Sequence, residues 1–351
     1  MKQTKKLMFG LTAGTALALS IGYGVYVSGI LHRDPMKQEQ ARVQALLTKD
    51  SENLQRPDAT DNEVYAAMIR LAQTLRPEAR AEAIKRSSST VKRLRQGAAT
   101  ALGNFNDPES FAVLKKLVDD ADVDVRLSTL NALGMMPGAG REELLVPRLR
   151  MKEKNREFER MVAAYSLSQI AQDKSLRDEA FRVLVRMMGS KDVNLAREAS
   201  FKLMAVAAQD ERFLDAAKKL VSSVGDSSIV PVLVRHLTAT DPEWVLRNYR
   251  LLLTSKDLQI RFAALTAAIK LCDPDRVKLL QNWLSTEKDA QSIQYGIQAA
   301  AALGGPEAET LVRQSLQGPG FPSNLVPMAN DVLEELEKGA HQERCGSAAR
   351  R

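Results

Sequence analysis

The stretch Asp122-Val123-Asp124-Val125-Arg126-Leu127-Ser128-Thr129-Leu130-Asn131-Ala132-Leu133-Gly134 has copies along the chain. Leu94-Arg95-Gln96-Gly97-Ala98-Ala99-Thr100-Ala101-Leu102-Gly103 precedes it, and Glu159–Leu167, Ala196–Met204 and Ile260–Ala268 follow. A last copy, Tyr295–Gly304, keeps the Ala-Leu-Gly ending and has lost the arginine. The arginines Arg95, Arg126, Arg160, Arg197 and Arg261 are separated by 31, 34, 37 and 64 residues, the last being twice 32. Such a period accommodates one pair of helices per repeat. Each copy is preceded by another amphipathic segment, such as Ser110–Val118, with apolar residues at helical spacing. Short turns such as Asp119–Asp124 join the two.

Working outward, the pattern predicts an all-α fold, an α-solenoid of roughly seven to eight helical hairpins over residues 63–338. Each helix buries one face on its partner and another on the next repeat. Composition agrees. The 351 residues include 45 Ala and 45 Leu, with aromatics at 5%, so strong helix formers prevail over the residues that sheets favour. Hydrophobics at 44% and two cysteines exclude disordered and disulfide-rich classes. The motif lapses over 205–255, where 211–222, 228–238 and 242–254 read as irregular helices. Segments 61–76 and 77–87 at the start, and 306–317 and 324–338 at the end, read as capping helices.

The turn Asp, the small apolar residue and Arg that follow it, and the Ala-Leu-Gly ending resemble the HEAT repeat in the short form known from phycobilisome lyases. The resemblance covers residues 90–304. Its fullest copy joins Asp122 and Arg126 to Ala132-Leu133-Gly134; Asp192 with Arg197 and Asp257 with Arg261 are partial copies. No turn Asp precedes Arg160, where Arg156 stands instead. The resemblance implies that Asp and Arg of neighbouring repeats pair in a ladder, which gives Asp122, Arg126, Asp192, Arg197, Asp257 and Arg261 a structural role. On activity it is nearly silent. Some HEAT-like solenoids bind or repair DNA, bilin lyases share the repeat, and HEAT-like metal hydroxylases carry His-Glu pairs that this sequence lacks.

Met1–Lys6 carry three lysines, and Leu7–Leu31 then run for 25 residues without a charge. As a helix this run is about 37 Å long, against about 30 Å of hydrocarbon core. A cleaved signal peptide has only about 7–15 apolar residues, although Ala16-Leu17-Ala18 offers a small-residue cleavage pattern. The expectation is a retained signal anchor, residues 7–31, behind a basic N-terminus, residues 1–6. By the positive-inside rule the N-terminus stays cytoplasmic and the body is exported. This describes a single-pass protein of the bacterial inner membrane with a periplasmic body. Within 32–62, residues 36–47 read as a juxtamembrane helix and 48–62 as a polar, proline-broken linker. Residues 339–351 read as a frayed tail.

Two basic stretches are candidate surfaces for a partner or an anionic membrane. Residues 78–97 carry a net +4 and include Lys85, Arg86, Lys92 and Arg93; residues 147–160 carry a net +3 and include Arg148, Arg150, Lys152, Lys154 and Arg156. A solvated helix face is the plain alternative. Asp120, Asp122 and Asp124 superficially open a calcium loop, but Val125 and Asn131 stand where an EF-hand needs Gly and Glu, so helix capping is expected instead. His32, His236 and His341 are the only histidines, which disfavours histidine-built metal centres and triads. Gly318-Pro319-Gly320 reads as a turn and not a phosphate cradle. A bridge between Cys272 and Cys345 would tether the tail to the repeats, whereas a free Cys345 would pair between chains; the sequence leaves both open. Trp244, Tyr249 and Trp283 fit either a core or an interface.

The functional expectation is a non-enzymatic adaptor, without cofactor or metal, that holds a protein partner on the face of its second helices. A nucleic-acid-binding or repair solenoid and a bilin-lyase-like enzyme both require a cytoplasmic body, against the expected export.

Overall fold

The computed structural model describes residues 35–136, 140–223, 229–339 and 345. The expected anchor at 7–31 lies outside the described residues, as does most of the tail. Among the described residues no helix is long and apolar enough to cross a membrane.

All regular structure among the described residues is helical. In chain order the helices are α1 (Pro35–Gln55), α2 (Asp61–Gln73), α3 (Pro77–Arg86), α4 (Lys92–Leu102), α5 (Pro108–Leu117), α6 (Val123–Met135), α7 (Arg141–Leu149), α8 (Glu157–Ile170) and α9 (Lys174–Met188). They continue with α10 (Val193–Ala207), α11 (Glu211–Ser222), α12 (Val230–Thr240), α13 (Pro242–Leu252), α14 (Leu258–Lys270), α15 (Arg276–Thr286), α16 (Ala290–Leu303), α17 (Gly305–Gln317) and α18 (Val326–Glu337). Short 3-10 turns at Lys154–Arg156 and Ser323–Leu325 lead into α8 and α18. The chain divides within α9 into two compact units, one ending at Val183 and the other starting at Leu184.

The helix starts follow from local chemistry. Aspartates at 107, 122, 192, 210, 241, 257 and 289 precede α5, α6, α10, α11, α13, α14 and α16, and each carboxylate accepts a backbone N–H of the first turn. These N–H groups have no partner inside the helix, so an acceptor there stabilises the start by about 0.5–2 kcal/mol. Pro108 and Pro242 follow two of these caps, at a position where proline's missing N–H costs nothing. Thr60 and Glu63 form a capping box at α2.

In the first unit the second helices α2, α4, α6 and α8 stack in sequence, each also packed on the first helix of its hairpin. Met68, Leu71, Leu94, Leu102, Leu114, Leu130, Leu133, Leu145 and Leu149 are fully buried between them. The Ala-Leu-Gly ending sets the closeness of this stack. A Cβ built on Gly103 would lie 2.8 Å from the Ala132 backbone, and one on Gly134 would lie 2.9 Å from Ser166 Cα. Ser166 in turn donates a hydrogen bond of 2.8 Å across the helix pair to the Leu130 carbonyl.

In the second unit α12, α14, α16 and α18 stack in the same way. Their core includes Leu265, Ile269, Leu280, Trp283, Ile297, Leu303 and Val312. Trp283 donates its indole N–H to the Ser292 carbonyl at 2.8 Å, and Tyr249 is fully buried. Both aromatics therefore belong to the core.

Two expectations are corrected. Residues 48–62 are mostly not a linker, because α1 runs on to Gln55 and packs against α2. The cause is Asp50, fully buried and held by Arg70 through Nε and Nη2, both at 2.6 Å, with Asn53 also buried; polar composition here reflects a paired interior charge, not solvent exposure. Cys345 is also no frayed residue: it is 8% exposed and bonded to Cys272.

Candidate binding surface

The repeated arginines act as bridges between turns and repeats. Arg95 donates through Nη1 to the Ser89 and Thr90 carbonyls, 2.9 and 3.3 Å, and through Nε and Nη2 to Asp120, 2.8 and 2.9 Å. Arg126 holds the Asp120 and Ala121 carbonyls at 2.7 and 2.9 Å and reaches Glu159 of the next repeat at 2.9 Å. Arg261 repeats this with the Ser255 and Lys256 carbonyls, both at 3.1 Å, and Glu287 at 2.9 Å. Each guanidinium thus closes its own turn and ties the following hairpin. A guanidinium has five donors, and here they are divided between carbonyls of its own turn and a carboxylate of the next repeat.

The expected Asp–Arg ladder is therefore corrected in its partners. Asp122, Asp192 and Asp257 give their oxygens to N–H groups of their own helices at 2.7–3.2 Å. Position forces this, since a cap carboxylate sits over the unpaired N–H groups while Arg extends past it to carbonyls five and six residues back. Asp122 does pair across repeats, but with Lys92 at 3.3 Å. Arg197 donates to Asn194 in its own helix at 2.9 Å. Sequence reasoning missed Arg177, whose Nη1 holds the Ala171 and Gln172 carbonyls at 2.5 and 2.9 Å while Asp173 accepts from Ser175 N–H. Its signal was the Asp-x-x-x-Arg spacing shared with Asp122 and Arg126, hidden because it lies on a first helix, out of register with the second-helix copies.

The basic stretches are largely neutralised in place. Lys85 and Arg86 pair with Glu82, Lys92 with Asp122 and Asp124, Arg150 with Glu179 at 2.9 Å, Arg156 with Glu159 at 2.6 Å and Arg148 with Asp119. Arg93 lies over the Tyr65 ring, 4.8 Å from its centre. Lys152 and Lys154 are exposed. The aspartate string is similarly engaged: Asp120 faces Arg95, and Asp122 and Asp124 face Lys92.

Charge placement sets the titration of these groups. Burial pushes the Glu159 carboxyl up, but hydrogen bonds from Arg156 and Arg126 outweigh it and hold the group below the usual range. Arg80, bonded to Asp107 at 2.9 and 2.6 Å, holds that cap carboxyl well below its ordinary value. Burial pushes the Tyr249 phenol up to about 12, with Asp273 adding to the rise. His236 is bound through Nε2 to the Ala208 carbonyl at 2.8 Å and tilts against Phe213, so it serves the packing of α11 on α12.

Apolar side chains are exposed on two second helices: Met135 on α6 is 57% exposed and Phe201 on α10 is 43% exposed.

A family match supports helical repeats in the first half of the chain. The family described as HEAT repeats matches residues 49–134 and 81–168. No curated protein matches the chain. Among solved structures, the Escherichia coli protein YibA is similar at 15% identity, covering 83% of this chain and 96% of that one, with a TM-score of 0.38. Human deoxyhypusine hydroxylase is similar at 13% identity over 85% and 99% of the two chains, TM-score 0.33. Kap95p, solved with RanGDP, is similar at 13% identity over 92% of this chain and 50% of that one, TM-score 0.42. Residues 49–168 are thus similar to HEAT repeats, and the paired, internally bridged helices there agree with that match.

Proposed function

We propose that this chain is a non-enzymatic HEAT-repeat scaffold, anchored in a membrane through Leu7–Leu31, whose second helices hold a protein partner outside the cytoplasm. The observation that carries the reading is how the repeat motif is used. Its Asp, Arg and Gly residues are consumed in helix caps, inter-repeat bridges and close helix contacts. What the repeats offer to solvent is instead a set of unrelated side chains on a common frame, such as Met135 and Phe201, and this is how a repeat stack distinguishes partners. The cystine between Cys272 and Cys345 supports an oxidising compartment, in keeping with export behind the anchor.

Two experiments test the proposal. A photocrosslinking amino acid at Met135 or Phe201 in living cells is expected to trap one discrete protein, and adducts absent from both sites would remove the adaptor role. Alkaline phosphatase fused after residue 351 is expected to be active; activity only of a cytoplasmic reporter at that position would reverse the topology.

A further inference from the structure

Between α12 and α14 lies a cleft of about 330 Å³, lined by Arg235, Thr238 and Ala239 on one helix and by Ala263, Thr266, Ala267, Lys270 and Leu271 on the other. Its electrostatics differ from those of the basic stretches. Arg80, Arg95, Arg126, Arg148, Arg150 and Arg156 all meet carboxylates. The cleft lining contains two cations and no acidic residue, and among the described residues neither Arg235 nor Lys270 has an ion-pair partner. Both side chains are exposed. Thr238 and Thr266 donate to the Val234 and Phe262 carbonyls of their own helices, at 2.7 and 2.9 Å, which leaves their oxygens facing the cleft region as acceptors only.

We propose that this cleft receives an acidic segment of the protein partner, with Arg235 and Lys270 pairing a glutamate or aspartate side chain and the threonine oxygens accepting peptide N–H groups. This rests on the scaffold reading and adds the chemistry of the partner. Arg235 supplies a planar fork suited to a carboxylate, and Lys270 supplies a point charge in the last turn of α14, where the helix end already favours a cation. Two exposed cations with no carboxylate partner among the described residues give the cleft a local positive charge that complements an incoming anion.

The test measures binding of fluorescein-labelled octaglutamate to the full-length protein by anisotropy at low salt. The expected result is saturable binding that falls at least tenfold in the double variant Arg235→Glu/Lys270→Glu. It is expected to stay within twofold in Lys115→Glu/Lys116→Glu, an equal charge change on two exposed residues of α5. Equal loss in both variants, or no binding below ~1 mM, overturns the proposal. It is also overturned if single-stranded DNA or dihexanoyl phosphatidylglycerol binds more tightly than octaglutamate and loses that binding in the same variant. If the cleft fails while crosslinks from Met135 or Phe201 still trap a protein, the cleft alone is refuted; if those crosslinks are absent, the scaffold reading falls with it.

Discussion

At the scale of single residues, two side chains occupy backbone positions that suit glycine. Leu75 has φ +56° and Cys272 φ +57°. Both close a helix in the same way: Arg76 N–H bonds Leu71 C=O beyond α2, and Asp273 N–H bonds Ala268 C=O beyond α14. A left-handed residue is what this closure requires, and a Cβ there costs about 1–2 kcal/mol. Leu75 has no evident compensation, since it is 61% exposed. Leu75→Gly is expected to raise stability by up to ~1 kcal/mol, after the greater freedom of glycine in the unfolded chain is offset; a urea midpoint that falls would contradict this. At Cys272 the strain accompanies the bridge. Cys272→Gly is expected to be about 1 kcal/mol more stable than Cys272→Ala, although both lose the cystine equally. Gly134 presents the opposite case, because a Cβ would press on the Ser166 backbone. Gly134→Ala is expected to cost about 1–3 kcal/mol by overpacking, read as a lowered thermal midpoint.

At the scale of elements, the helix pairs and their register were legible in the recurrence of Arg and Ala-Leu-Gly. The partners of the arginines were not. Asp122 and Arg126 are separated by a spacing that allows either a cap or a bridge. Only the placement of Glu159, brought over Arg126 by the stacking of α8 on α6, resolves the choice. The same limitation hid the second half of α1, since the buried pair of Asp50 with Arg70 looks in sequence like ordinary linker polarity. The cleft at Arg235 and Lys270 was equally invisible, because its significance is the absence of acidic neighbours contributed by a different helix. The Glu159 bridge has a pH signature. Its carboxyl titrates lower in the folded chain than when unfolded, so the stabilisation is complete above about pH 5 and is lost as pH falls through the folded value. Glu159→Gln is expected to lower stability at pH 7 and to converge on the parent protein only once pH has fallen below the folded value of the carboxyl, as followed by denaturant unfolding. A constant difference across that range would show that the charge plays no part.

At the scale of the whole molecule, stability is divided among neighbours. Neighbouring hairpins are tied by bridges such as Arg95–Asp120 and Arg126–Glu159 in the first unit and Arg261–Glu287 in the second. Repeats coupled in this way respond to mutation locally and lose cooperativity first at the ends. The second unit has an additional constraint, a cystine with a sequence separation of 73 residues. Closing so long a loop restricts the unfolded chain by about 2–4 kcal/mol, so reduction is expected to lower the thermal midpoint of the wild type and leave that of Cys272→Ala/Cys345→Ala unmoved.

Because Cys345 joins the end of α14 from beyond α18, the hairpins between them lie inside a covalent ring. Tension applied along the chain would bypass everything in that ring. Pulled from its two ends, the oxidised protein keeps about 250 Å of contour length in reserve. Only a reductant would release it, so the same polypeptide is a shorter tether in an oxidising compartment than in a reducing one.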